Sequence, residues 1–358
     1  MCILFLTSSL AVSDGWGRYS LGFIAEARRR DGAEAALVPE PQSLRSAADT
    51  WRKPGAIFLD VLKLTGEAKR ADLIHALTEQ FGPLACVLGV IFGKPVVLST
   101  HGTYGHAGSY PWYLRPLYRW AFHRAAAVVA VSRYTTDIVR RTFGRSQVEI
   151  VPGGFDPVGS VPERRLGPAP YRLLSVGALK RRKGYHTLIA ALGILKTRGF
   201  AVRCRIIGSR LDKSYVRLLE DLVEKNQLRG EVVFNSDVPD GEKDQAYSDA
   251  DLFVLPSEHS GTAFEGLGLV YLEALARGTP VIGPRQSGAE DVIEDGVNGF
   301  LVDPGDPEGL ADTIEKALSD AGRWQGLSRA AAPSISKFAW SQVGGRMSDV
   351  YRSVISKP

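Results

Sequence analysis

Short apolar runs alternate with amphipathic stretches along the whole chain. In the first half, runs at 3–7, 56–60, 96–100, 127–132 and 148–152 have the length of buried strands. The stretches between them, such as 19–30 and 134–143, carry a helical period. Residues 152–170 (PGGFDPVGSVPERRLGPAP) gather Pro and Gly and read as a linker. The alternation then restarts with a strand at 171–176, a helix at 184–198 closed by Gly199, and a strand at 202–207. Further strands are expected at 252–255, 280–282 and 300–302. Asp306-Pro307 opens a helix, with Asp at the N-cap and Pro at the first helical position. Strands alternating with helices predict parallel sheets covered on both faces. Two such halves predict two domains, 1–165 and 166–340, with a cleft at the carboxyl ends of their strands where ligands bind.

A length of 358 residues suits two domains of ordinary size. With 44% hydrophobic and 23% charged residues, the composition excludes a disordered chain or a disulfide-stapled miniprotein. Cys2, Cys86 and Cys204 are odd in number and far apart, which points to a reducing cytoplasm and away from a zinc site. No apolar run reaches the ~18 residues of a membrane span. The apolar start at 2–6 has no Lys or Arg before it and ends quickly, so a buried first strand is expected instead of a signal peptide. The formal charge of +5 is unevenly placed. Residues 1–166 hold 20 Lys+Arg against 14 Asp+Glu, and residues 167–358 hold 24 against 25. The basic excess, lying wholly in the first half, suits an anionic partner there.

The densest chemistry lies in residues 255–278, LPSEHSGTAFEGLGLVYLEALARG. A strand end is followed by a polar loop, then Glu265-Gly266-Leu267-Gly268, then a helix. A glycine turn into a helix N-terminus can receive a phosphate through free backbone N–H groups. Glu265 and Glu273 flank that point, about 12 Å apart if the stretch is wholly helical. Carboxylates so placed can accept hydrogen bonds from two hydroxyl-bearing groups with a diphosphate between them, the layout of a nucleotide-sugar. Two glutamates on an ordinary amphipathic helix would show the same spacing.

The ordered set around this pair resembles the donor-binding signature of the family 4 retaining glycosyltransferases. Glu265-Gly266-Leu267-Gly268-Leu269-Val270-Tyr271-Leu272-Glu273-Ala274 is similar to their glutamate–seven–glutamate motif. Ala276-Arg277-Gly278-Thr279-Pro280-Val281-Ile282, residues 287–291 and residues 295–299 follow in the family's order. A second match at 175–192 (SVGALKRRKGYHTLIAAL) has the Lys-Gly pair as Lys183-Gly184, with Ala178 where the family often has Arg. Lys180, Arg181 and Arg182 lie close enough to compensate, Arg182 foremost. In the first half, Gly15 and Gly17 stand in the place of the family's glycine loop, and Thr100-His101-Gly102 matches a histidine after a strand. Ser132, Asp156 and His75 are read as structural.

The resemblance implies the GT-B fold: α/β, with two Rossmann-like domains facing across a cleft. Residues 1–165 would be the acceptor side, with a final helix at 341–358 packing back on it, and 166–340 the nucleotide-sugar side. It implies Glu265 on the sugar hydroxyls, Glu273 on the ribose, and Arg182 and Lys183 on the departing diphosphate. His101 would line the reaction centre. Gly266, Leu267, Gly268, Leu269, Gly15, Gly17 and Lys180 would complete the donor site. The co-substrate would be a UDP- or GDP-sugar, with no resident cofactor and no metal.

Residues 110–124 (YPWYLRPLYRWAFHR) hold six aromatics and three arginines. This suits either an anionic membrane surface or a helix lining the core or the acceptor cleft. The resemblance implies a lipid-linked or glycan acceptor, and a cytoplasmic location at the inner face of the membrane is expected. The rivals are a sugar phosphorylase or nucleotide-sugar epimerase on the same fold, a catalytically idle scaffold, and a nucleic-acid-binding module. No nucleic-acid motif supports the last.

Overall fold

The computed structural model describes residues 1–11, 15–30, 35–37, 55–156, 159 and 161–356. The chain forms two compact units, Met1–Asp156 with Phe338–Pro358, and Pro157–Lys337.

The first unit is built on a six-stranded sheet: β1 (Cys2–Leu6), β2 (Ala35–Leu37), β3 (Leu73–Ala76), β4 (Val96–Thr100), β5 (Ala127–Ala130) and β6 (Glu149–Ile150). Every pairing is parallel, in the order β2-β1-β3-β4-β5-β6. Strands buried on both faces read as unbroken apolar runs, and β1, β3, β4 and β5 are buried almost throughout. The connecting helices are α1 (Gly15–Arg30), α2 (Gly55–Lys63), α3 (Thr65–Arg70), α4 (Gly82–Phe92), α5 (Arg115–Arg124) and α6 (Arg133–Phe143). Ser132 caps α6 by accepting from the Thr135 N–H at 3.1 Å.

The apolar run at 56–60 is not a strand. It lies inside α2, on which Asp60 is buried while Leu59 and Leu62 are exposed, a helical and not an alternating distribution. The sheet position is taken by β3, where the sequence is broken by His75. That ring survives burial because Ser99 and Tyr351 both hydrogen-bond it at 2.8 Å.

The second unit repeats the plan with β7 (Tyr171–Val176), β8 (Val202–Ile207), β9 (Val232–Asn235), β10 (Leu252–Val254), β11 (Val281–Pro284) and β12 (Gly299–Val302). Its order is β12-β11-β10-β7-β8-β9, again all parallel. Counted from β7, this is the doubly wound order 3-2-1-4-5-6, whose direction reverses between β7 and β10. The helices are α7 (Tyr185–Thr197), α8 (Lys213–Lys225), α9 (Asp240–Asp249), α10 (Leu269–Leu275), α11 (Pro307–Leu318) and α12 (Ala321–Ser334). Asp306 caps α11 as its sequence predicts.

The last helix, α13 (Trp340–Ile355), belongs to the first unit. Trp340 meets Phe23 of α1 edge-on at 5.2 Å, and Gly22 leaves the space its indole fills. The indole is half-buried in this contact, which ties the chain's end to its beginning.

Candidate active site

The reversal between β7 and β10 in the second unit is where the sequence motifs converge. The chain leaves β7 through Gly177, makes a 3-10 turn at Arg181–Lys183, and enters α7 through Gly184. Gly184 has φ +67°, and a Cβ there would lie 1.8 Å from the Pro256 carbonyl oxygen. Only glycine allows this approach, which brings the Lys183 turn against the loop that follows β10. The Glu258 N–H donates to the Arg182 carbonyl at 2.7 Å and fastens the two loops together.

One carboxylate oxygen gathers the charged groups. Glu265 Oε2 accepts from Lys183 Nζ at 2.5 Å, Ser257 Oγ at 3.0 Å and Arg182 Nη1 at 3.4 Å. Lys183, Ser257 and Glu265 are all buried. Burial alone would raise the Glu265 pKa, but Lys183 and Arg182, together with the bonds from Lys183 and Ser257, outweigh it and hold the carboxyl at about 2. Burial draws Lys183 below the usual lysine range, and the neighbouring charges of Arg182 and Lys180 add to that against the pull of Glu265. Cations therefore outnumber the carboxylate in a poorly solvated place, a condition that a bound anion would relieve.

Glu265 and Glu273 do not share a helix. Helix α10 begins only at Leu269, after Gly268 turns the chain at φ +81°, so the 12 Å helical spacing does not apply. Glu265 lies in the preceding turn, where its carbonyl accepts from the Gly288 N–H at 2.9 Å. Gly266 and Leu267 are buried beside it, and Leu269 is half-buried. Glu273 sits on α10, where Tyr247 Oη donates to its Oε2 at 2.6 Å. Arg277 stacks 5.5 Å over the Tyr247 ring and pairs with Asp244 at 2.5 Å. Lys180 is exposed at the start of the 3-10 turn and takes no part in the hydrogen bonds to Glu265.

Sequence reasoning missed Ser257, Glu258 and Tyr247. Glu258 contacts His186 at 3.3 Å and accepts from Thr187, while Tyr215 holds the other His186 nitrogen at 2.9 Å. These partners keep the Glu258 carboxyl below its usual range although burial works the other way.

In the first unit, Gly15 and Gly17 form the first turn of α1. A Cβ on Gly17 would lie 2.0 Å from the Ala11 carbonyl oxygen, so packing accounts for that glycine. His101 follows β4 and is half-buried, with Tyr19 of α1 edge-on to its ring at 4.0 Å. Its Nε2 faces the Leu77 carbonyl at 2.6 Å. A carbonyl only accepts, so Nε2 carries the proton and Nδ1 of the neutral ring is the acceptor. Burial lowers the His101 pKa against the opposing influence of Glu79 and the Leu77 carbonyl.

The aromatic stretch divides. Tyr110, Tyr118 and Phe122 enter the core, while Trp112, Tyr113 and Trp120 are 78%, 56% and 38% exposed. The charged residues exposed beside them, Arg115, Arg119 and Arg124, are all basic. Among the described residues, no helix is long and apolar enough to cross a membrane.

Comparison with known proteins adds the following. The family described as glycosyl transferases group 1 matches residues 163–332, and glycosyltransferase family 4 matches residues 21–158. A GDP-mannose-dependent α-(1-6)-phosphatidylinositol monomannoside mannosyltransferase of Mycolicibacterium smegmatis is 30% identical over 337 residues, 87% of this chain and 86% of that protein. Anabaena HepE, crystallised with UDP and glucose, aligns at a TM-score of 0.78 and 23% identity, over 99% of this chain and 100% of that one. Sucrose-phosphate synthase from Thermosynechococcus elongatus aligns at 0.79 and 20% identity, over 100% and 99%. The two parallel-sheet α/β units thus match GT-B structures.

Proposed function

We propose a reaction from one premise: the chain belongs to glycosyltransferase family 4, with the glycosyl transferases group 1 domain, and is a glycosyltransferase. It moves a hexosyl unit of mannosyl or glucosyl type from a UDP- or GDP-sugar to a glycan or lipid-linked acceptor. The product belongs to a cell-surface polysaccharide or glycolipid, and the anomeric configuration is retained. The second unit takes the donor and the first presents the acceptor.

The observation that carries this reading is the meeting of Lys183, Arg182 and Ser257 on one oxygen of Glu265. In this account the donor diphosphate lies against Lys183 and Arg182. Its negative charge meets an under-compensated pair of cations already in place, so little reorganisation is needed as the leaving group departs. Glu265 Oε1 takes no part in that cluster and accepts the sugar hydroxyls, while Glu273 takes the ribose. His101 presents Nδ1 as an acceptor at the reaction centre. The cations do the work that a metal does in other transferases, and full activity in EDTA is the expected result.

The mannosyltransferase relative is named for GDP-mannose, and HepE was crystallised with UDP, so both bases remain in the proposal. The relative's lipid acceptor supports a lipid-linked acceptor here. Peripheral contact with an anionic membrane, at the cytoplasmic face, is proposed for residues 110–124, supported by the exposed Trp112, Tyr113 and Trp120 among arginines. Glu265→Ala and Lys183→Ala are each expected to remove most sugar transfer while the protein stays folded. Near-normal turnover in either variant would overturn the site. A thermal-shift series with UDP, GDP and their sugars identifies the donor.

A further inference from the structure

Glu79 lies in the short 3-10 turn after β3 and is 1% exposed. No ion pair is made to it among the described residues. Its Oε1 accepts three hydrogen bonds: from Thr100 Oγ1 at 2.9 Å, the His101 N–H at 2.6 Å and the Gly102 N–H at 3.3 Å. Its Oε2 is buried and has no hydrogen-bond partner among the described residues. A buried carboxylate with one unsatisfied oxygen is costly, so its retention here calls for an explanation. The same segment also holds the imidazole, because the Leu77 carbonyl receives the Nε2–H of His101 at 2.6 Å. Main chain and ring of one histidine are thus gripped from two points, two residues apart.

We infer that Glu79 is a positioning residue for His101, fixing the main chain of the 100–102 loop so that the ring keeps its bond to Leu77 and presents Nδ1. This rests on the reading that His101 lines the reaction centre. The work is done by reach, through Oε1, and not by the second oxygen. Aspartate at this position withdraws the carboxylate by one methylene and cannot serve all three donors. Glutamine keeps an acceptor oxygen at full reach and loses the charge.

The test pairs Glu79→Asp, one methylene shorter, with Glu79→Gln, which keeps the original volume. The Nε2–H of His101 is followed in long-range nitrogen–proton NMR spectra, assigned by its loss in His101→Gln. Transfer kinetics and nucleoside diphosphate binding are measured alongside. E79D is expected to lose the single-tautomer signature and to fall in kcat on the order of 10–10²-fold, the scale of a small misplacement. E79Q is expected to keep the signature and to fall less than E79D. Both should bind the nucleoside diphosphate as the original does. An unchanged ring signature in E79D, or a larger fall in E79Q than in E79D, would overturn the inference. Normal transfer by His101→Gln would instead sink the reading of the reaction centre, while the ring signature still decides the positioning.

Discussion

Replacing Glu265 by glutamine keeps its volume and removes one charge. It leaves Lys183, whose side chain is 10% exposed, without its carboxylate partner and with Arg182 nearby. The cost can be reached in two ways. Lowering the Glu265 pKa from 4.5 to about 2 is worth roughly 3 kcal/mol of stability. Removing one member of a buried ion pair typically costs about 3–5 kcal/mol. The two agree, and for a unit of this size a loss of about 3 kcal/mol lowers the melting temperature by roughly 6–12 °C.

The pH dependence carries a sign that checks the cause. A carboxyl held low in the folded state stabilises it fully above 4.5, and that contribution fades as pH falls towards 2. The gap between the original protein and E265Q should therefore be widest near neutrality and close between about pH 4.5 and 2. At alkaline pH it should narrow again, because Lys183 can shed its proton and its folded-state pKa is already lowered by burial. Calorimetric unfolding across pH 2–9 measures this. A gap under about 1 kcal/mol at pH 7, or one that persists at pH 2, would refute the reasoning.

Three further outcomes are expected. Tyr247→Phe, which removes the hydroxyl bonded to Glu273 at 2.6 Å, should raise the donor KM with a smaller effect on kcat; unchanged kinetics would show that Glu273 needs no such partner. Burial presses the His75 pKa down to about 3, so its contribution to stability is complete above 6.5 and is lost as pH falls towards 3; His75→Gln should flatten the unfolding profile of the first unit in that window, and an unaltered slope would contradict this. Vesicles rich in anionic lipid should float the protein at low salt, and Trp112→Ala with Trp120→Ala should weaken flotation; no binding of the original protein at low salt would end the membrane proposal.

Much of the fold could be read because a strand buried on both faces leaves an unbroken apolar run, as at Val96–Thr100 and Tyr171–Val176. The reading failed where that rule has exceptions. Residues 56–60 are apolar without being a strand, and β3 is a strand carrying a histidine. What makes His75 acceptable comes from Ser99, 24 residues away, and Tyr351, 276 residues away, so no local pattern could announce it. Strand β9 ends the sheet and is only partly buried, so its run is not continuous.

The site divides along the same line. Lys183-Gly184 was legible because the glycine is required by a backbone contact, and a residue with no alternative leaves a mark in sequence. Glu265 was legible for its setting, yet its bond to Lys183 spans 82 residues and its partner Ser257 carries no signal of its own. Glu79 was invisible, since a glutamate beside a strand end looks like any surface acid until its burial is known. The second half of the chain, with 24 basic against 25 acidic residues, has no bulk attraction for an anion. The proposed donor site does not need one: Lys183, held out of water against a single carboxylate with Arg182 beside it, acts over a short distance at low dielectric, where one buried lysine outweighs many on the surface. Net charge bears only on what approaches the first half; the anion recognition proposed for the second half depends on where Lys183 and Arg182 are held.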